Sequence, residues 1–106
     1  MVETESPSEL IRLAGEAWAR ANGQAKLLDA ERKRIRSVLV IHSSEKTLGK
    51  AEYDAITQEK YVVAETAAIN AETEAEVLKA QYEALKIKYE IWRTKESTKR
   101  AEMTMR

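Results

Sequence analysis

The sequence predicts an all-α protein: one long antiparallel helical hairpin of coiled-coil type with a protruding C-terminal helical arm, assembling into oligomers. Two long stretches carry apolar residues at alternating steps of three and four, the spacing of a helix packed along its length. The 106 residues include one Pro and three Gly, so breakers are scarce, and Ala, Glu, Lys and Arg dominate as they do in long helices. That length suits one domain at roughly 100 to 200 residues each. The expected layout is a flexible N-terminus over 1–6 and a single domain over 7–106, with a helix over about 7–42, a turn over 43–50 and a helix over about 51–102.

The first helix has a start signal in Ser6, Pro7, Ser8 and Glu9: Ser6 can accept from the Glu9 amide, Pro7 suits the first helical position, and the Glu9 carboxylate can reach back. Its seam runs through Ile11, Ala14, Trp18, Ala21, Ala25, Leu28, Arg32, Ile35, Leu39 and His42, with Arg32 the one polar break. Trp18 reads as a large core anchor rather than a contact across an oligomer. Gly15 and Gly23 each cost about 1 kcal/mol relative to Ala, so they are expected to permit close packing or a slight bend. At 1.5 Å per residue the helix would span about 54 Å.

The pattern breaks from Ser43 to Lys50, where Ser43 or Ser44 is expected to cap a short helical turn ending near Gly49. The second seam runs from Tyr61 through Ala64, Ala68, Ala71, Ala75, Leu78, Tyr82, Leu85 and Tyr89 to Trp92 without an exception. Beside it Val77, Ala80, Ala84, Ile87 and Ile91 form a further stripe in the last third, wider than a two-helix seam needs.

Folding back at the turn pairs residues whose numbers sum to about 93, if both helices rise equally. Small then meets small, Ala14 to Ala25 against Ala67 to Ala75, while Leu28, Ile35 and Leu39 approach Tyr53, Ile56 and Tyr61. Charge agrees: Lys26 to Arg36 is net +3, Lys50 to Val77 is net −5, and Glu5 and Glu9 fall near Lys86 and Lys88. In this register the second helix outruns the first beyond about Lys86, by roughly 30 Å. Leu85, Tyr89, Ile91 and Trp92 are therefore expected to form an interface between copies, a dimer or higher.

Several function classes are disfavoured. The formal net charge is zero, so no global field draws the molecule to nucleic acid or membrane. The longest apolar run is Val38 to Ile41, far short of a membrane span, and the polar Met1 to Ser8 segment is not read as an export signal. With no Cys and one His, no ordinary zinc set or imidazole-centred triad is expected, and His42 reads as a seam-end or capping residue. Glu72, Glu74 and Glu76 alternate around a helix and read as a solvated acidic face rather than metal ligands. No phosphate loop, dinucleotide fingerprint or nucleophile elbow occurs, so neither enzyme activity nor a cofactor is expected.

The C-terminal arm is the most suggestive segment. Lys86, Lys88, Arg93, Lys95, Lys99 and Arg100 interleave with Tyr82, Tyr89 and Trp92, a pattern able to contact phosphates and stack bases. The aromatic residues also obey the seam spacing and four Glu dilute the charge, which favours a solvated flank around an oligomerisation seam.

The stretch Gln81 to Thr94, with its Tyr-rich helix and Trp92-Arg93-Thr94, and its continuation through Ser97, Thr98, Lys99, Arg100, Ala101, Glu102 and Met103, resembles the C-terminal signature of small helical bacteriophage and prophage proteins. The resemblance covers about a quarter of the chain and implies a phage context, the cytoplasm of a bacterial host, and a tie to recombination or DNA metabolism. The leading expectation is a non-catalytic phage-type accessory protein that self-associates and binds a protein partner in DNA metabolism. The alternatives are an inhibitor of a host protein, its acidic stretch from Glu52 to Glu76 imitating nucleic-acid phosphate, and a virion scaffold component.

Overall fold

Residues 6–105 are described by the computed structural model, and among them the chain forms three helices and no strand: α1 Pro7–Ile41, α2 Leu48–Thr57 and α3 Glu59–Thr104. Of the N-terminal segment read as flexible, residues 1–5 lie outside the described residues. Ser6 caps α1, its hydroxyl accepting from the Glu9 amide at 3.2 Å, with Pro7 in the first turn. Glu9 does not complete the reciprocal cap; its carboxylate takes the Arg12 guanidinium instead.

α1 and α3 lie antiparallel along their lengths, giving a rod of 84 × 31 × 14 Å. A compact chain of this length would have a radius of gyration of about 13 Å; here it is 23.4 Å. The interior is accordingly thin. Ala51, Ala55, Tyr61, Ala68 and Ala75 are the buried apolar residues among those described. Three of these fall at sevens on α3, and Tyr82 and Tyr89 continue the series half-buried. A strict seven-residue repeat keeps one stripe facing its partner in a left-handed supercoil, and alanines at the contact let the backbones approach.

The return arm differs from the expected single helix over about 51–102. Thr47, rather than Ser43 or Ser44, caps α2, and Gly49 lies inside its first turn. Ser43 instead donates to Asp54 at 3.1 Å, closing the turn. The helix breaks at Gln58, whose backbone is extended (φ −70°, ψ 139°). Phase accounts for the break: Ala55 and Tyr61 are six residues apart, about 240° around an unbroken helix, yet both are buried. Resetting at Gln58 lets Ala51 and Ala55 and then Tyr61 face α1. Tyr53, expected in this seam, is 70 % exposed, and Ile56 is 41 % exposed.

Arg32, the polar break in the α1 seam, bridges the helices. Its Nε and Nη2 donate to Asp29 Oδ1 at 3.0 and 2.8 Å, and its Nη1 donates to the Tyr61 hydroxyl at 2.9 Å. That hydroxyl donates onward to Glu65 at 3.2 Å. The hydrogen bond from Arg32, followed by that from Lys33, holds the Asp29 carboxyl below its ordinary pKa. A polar group at one seam position fixes register at some cost in stability.

The register is the expected one at this bridge and departs from it farther out. Trp18, expected opposite Ala75, stacks on Tyr82, and Lys79 Nζ lies 5.9 Å from its ring centroid. Pro7, Leu10 and Ile11 meet Leu85, Lys88, Tyr89 and Trp92. The part of α3 beyond α1 thus starts near Arg93 rather than Lys86 and extends roughly 18 Å. Cross-helix charge pairing is also sparser than expected. All ion pairs among the described residues lie within α1 except Arg36–Glu52 at 3.6 Å, which joins α1 to α2. Glu9 pairs with Arg12 and not with Lys86 or Lys88, and Glu5 lies outside the described residues.

The two α1 glycines have different surroundings. A Cβ at Gly15 would sit 3.1 Å from Tyr82 Cε1, while at Gly23 it would meet nothing within 4 Å. Gly23→Ala is expected to raise stability by about 0.5–1 kcal/mol through helix propensity and unfolded-state entropy. Gly15→Ala is expected to lose that gain because the Tyr82 ring, packed against Trp18, must give way to the added Cβ. Urea titrations of both variants test this; equal stabilisation would contradict a packing role for Gly15.

Candidate interaction surface

The C-terminal half of α3 holds the predicted site residues, and the structure divides them between two sides of the helix. On the hairpin side, Tyr82 and Trp18 stack with centroids 5.8 Å apart and planes at 21°. Lys86 Nζ lies 4.9 Å from the Tyr82 ring centroid, a cation on the face of the ring. One helical turn or two further on, Tyr89 and Trp92 stack at 5.8 Å and 22°, with the Arg93 guanidinium 5.9 Å from the Tyr89 ring. Leu85 and Tyr89 are half-buried in a groove of about 300 Å³ against the first turns of α1. These two residues serve the hairpin's own seam. Trp92 borders the same groove and is 50 % exposed, so a single chain does supply α1 residues beside it.

Ile91 points elsewhere. It is 51 % exposed on the outer side of α3, together with Val77 at 51 % and Ile87 at 58 %. In the sequence this outer stripe is evident only in the last third of the helix. The structure shows it running farther, because Val62 and Ile69 are exposed on the same side at 45 % and 55 %. Threonines along this side disguise the continuity in the sequence: Thr73 and Thr94 donate their hydroxyls to the Ile69 and Glu90 carbonyls at 3.0 Å each. Such bonding within the helix leaves them without an unmet polar demand on that side.

The six basic candidates are all exposed. Lys86 and Arg93 are engaged with tyrosine rings, Lys88 borders the aromatic groove, and Lys95, Lys99 and Arg100 lie beyond Trp92 on the free arm. The tyrosine faces available for stacking bases are thereby partly taken by Trp18, Trp92 and the two cations. His42 is the exposed C-cap of α1, its amide donating to the Val38 carbonyl at 3.0 Å, while the Ser43 amide donates to the Val40 carbonyl at 3.2 Å. Glu72 and Glu76 line a shallow groove opposite Lys26 and Lys33, and no acidic or histidine cluster suited to a metal occurs among the described residues. No described helix is long and apolar enough to cross a membrane.

No family model, curated protein or solved structure matches this chain.

Proposed function

We propose that this chain is a non-catalytic accessory protein of phage type, acting in the bacterial cytoplasm by associating with itself through α3 and engaging a partner in DNA recombination or metabolism. The observation that carries self-association is the row of large apolar residues, Val77, Ile87 and Ile91, each about half exposed on a helix whose opposite side is already packed. Contiguous apolar surface of this kind marks an interaction site. The phage context rests on the resemblance of the segment from Gln81 to Met103. Within this reading Ile91 belongs to the interface between copies and Trp92 lies at its margin, whereas Leu85 and Tyr89 hold the hairpin together.

Any contact with nucleic acid falls to the cations of the free arm, since the tyrosine rings are engaged by Trp18, Trp92, Lys86 and Arg93. Changing Lys95, Lys99 and Arg100 together to Ala is expected to reduce the dependence of log affinity on log salt by about 2 to 3 for duplex DNA. Trp92→Ala is expected to leave that affinity within a few-fold. Fluorescence anisotropy with a labelled duplex across a salt series reads both. Loss of DNA binding in Trp92→Ala at unchanged mass would favour base stacking and overturn this assignment.

A further inference from the structure

α3 carries two seams, and the hairpin uses one of them. From Val62 to Met105, thirteen positions at steps of three and four carry no charged residue, and every one is exposed. The large members are Val62, Ile69, Val77, Ile87, Ile91 and Met105; Thr and Ala fill the positions between. This row lies nearly opposite the Tyr61–Ala68–Ala75 seam, so α1 does not obstruct it. α1 has no equivalent, because Arg20 and Arg34 interrupt its outer side. A helix with two apolar stripes is built to be packed on both sides.

We propose that a second copy of this chain covers the outer row, the two α3 helices lying parallel and in register about a two-fold axis with the α1 helices outside. This rests on the self-association reading and adds the face and the orientation. Flanking charges select that orientation. Glu83 and Glu90 border the row on one side, and Lys88 and Lys95 border it on the other, each five residues after a glutamate. Five residues along one helix do not face each other. In a parallel pair, the residue on one flank meets the partner residue five later on the opposite flank, so Glu83 meets the second copy's Lys88 and Glu90 its Lys95, twice over. An antiparallel pair would place Glu76, Glu83 and Glu90 against the same glutamate flank of the other copy. The ion pairs among the described residues leave these groups free for the partner, since all lie within α1 or between α1 and α2.

The chain has no cysteine, so one introduced thiol reports on geometry without interference. Thr98→Cys, in the outer row, is expected to form a disulfide-linked dimer on mild oxidation. In an antiparallel pair centred on α3, those two positions would be tens of ångströms apart. Ile87→Glu is expected to weaken association by on the order of a hundredfold or more, because two carboxylates would meet in the seam. Its circular dichroism should be unchanged, as Ile87 is 58 % exposed in the single chain. Glu83→Lys with Glu90→Lys, and separately Lys88→Glu with Lys95→Glu, should each weaken self-association by on the order of tenfold, and mixing the two proteins should restore it. A wild-type protein that stays monomeric would overturn both this inference and the self-association reading. A dimer that survives Ile87→Glu and gives no Thr98→Cys cross-link would overturn the outer seam alone. Dissociation by Ile87→Glu without the cross-link would overturn the parallel arrangement.

Discussion

Tyr61→Ala is expected to destabilise the hairpin by about 3 to 5 kcal/mol, the usual cost of truncating a buried aromatic. Among the described residues Tyr61 is the one large buried side chain, at 4 % exposure between alanines. Its removal leaves a cavity that helices held by alanine contacts have few side chains to refill. It also takes away the hydroxyl that accepts from Arg32 Nη1 at 2.9 Å, at the point where α2 gives way to α3. Native domains have about 5 to 15 kcal/mol to lose, so the variant should be substantially unfolded at 37 °C. Tyr61→Phe separates the two contributions and is expected to cost only about 0.5–1.5 kcal/mol, the net value of a hydrogen bond. Urea unfolding followed at 222 nm measures both. A Tyr61→Ala loss below about 1 kcal/mol would contradict a central packing role.

Trp18→Ala is expected to have the second largest effect, near the lower end of about 3 to 5 kcal/mol because its site is only half-buried. The indole stacks on Tyr82 at 5.8 Å, and the Lys79 ammonium lies 5.9 Å from its ring. Tyr82 in turn lies over Gly15, so these residues form one contact at which α1 and α3 lock. Trp18→Ala and Tyr82→Ala should therefore be non-additive, with a coupling of about 0.5–1.5 kcal/mol. Strict additivity in a double-mutant cycle would show that the rings stabilise independently. Either single variant should leave α2 docked, since Ala51 and Ala55 pack at the far end of the rod.

Both inner seams can be read from the sequence because apolar residues recur at the helical period, with Arg32 the one polar member, and periodicity is a local signal. The positions from Ile11 to Leu39 and from Tyr61 to Tyr89 named for the seams are half-buried or buried in the structure. Three features were less legible, each for a physical reason. The break at Gln58 arises from a phase mismatch between Ala55 and Tyr61, which appears only once both are known to face the same helix. The outward drift of register comes from ring packing at Trp18, Tyr82 and Gly15, a three-dimensional fit that charge bookkeeping does not contain. The charge blocks misled because α1 satisfies its own: Glu9 with Arg12, Asp29 with Arg32 and Lys33, and Glu31 with Arg34. Such pairs at three and four residues form within one helix before any partner is met.

The candidate surface was half legible. Ile87 and Ile91 stood out as surplus to a two-helix seam, and they are exposed on the outer side. Leu85 and Tyr89 fall outward only if both helices keep the 93 register to their ends; the structure sets them against Leu10 and Ile11. The upstream continuation through Val62 and Ile69 is hidden by Thr66 and Thr73, which count as polar by composition, although Thr73 bonds within its own helix.

The mass of the wild-type protein in solution tests self-association through α3 most directly. Light scattering on the eluting peak at tens of micromolar is expected to give about twice the chain mass of 12.0 kDa, and Ile87→Glu to give the chain mass with its helical spectrum intact. A wild-type mass of 12.0 kDa that persists at several hundred micromolar would contradict the account.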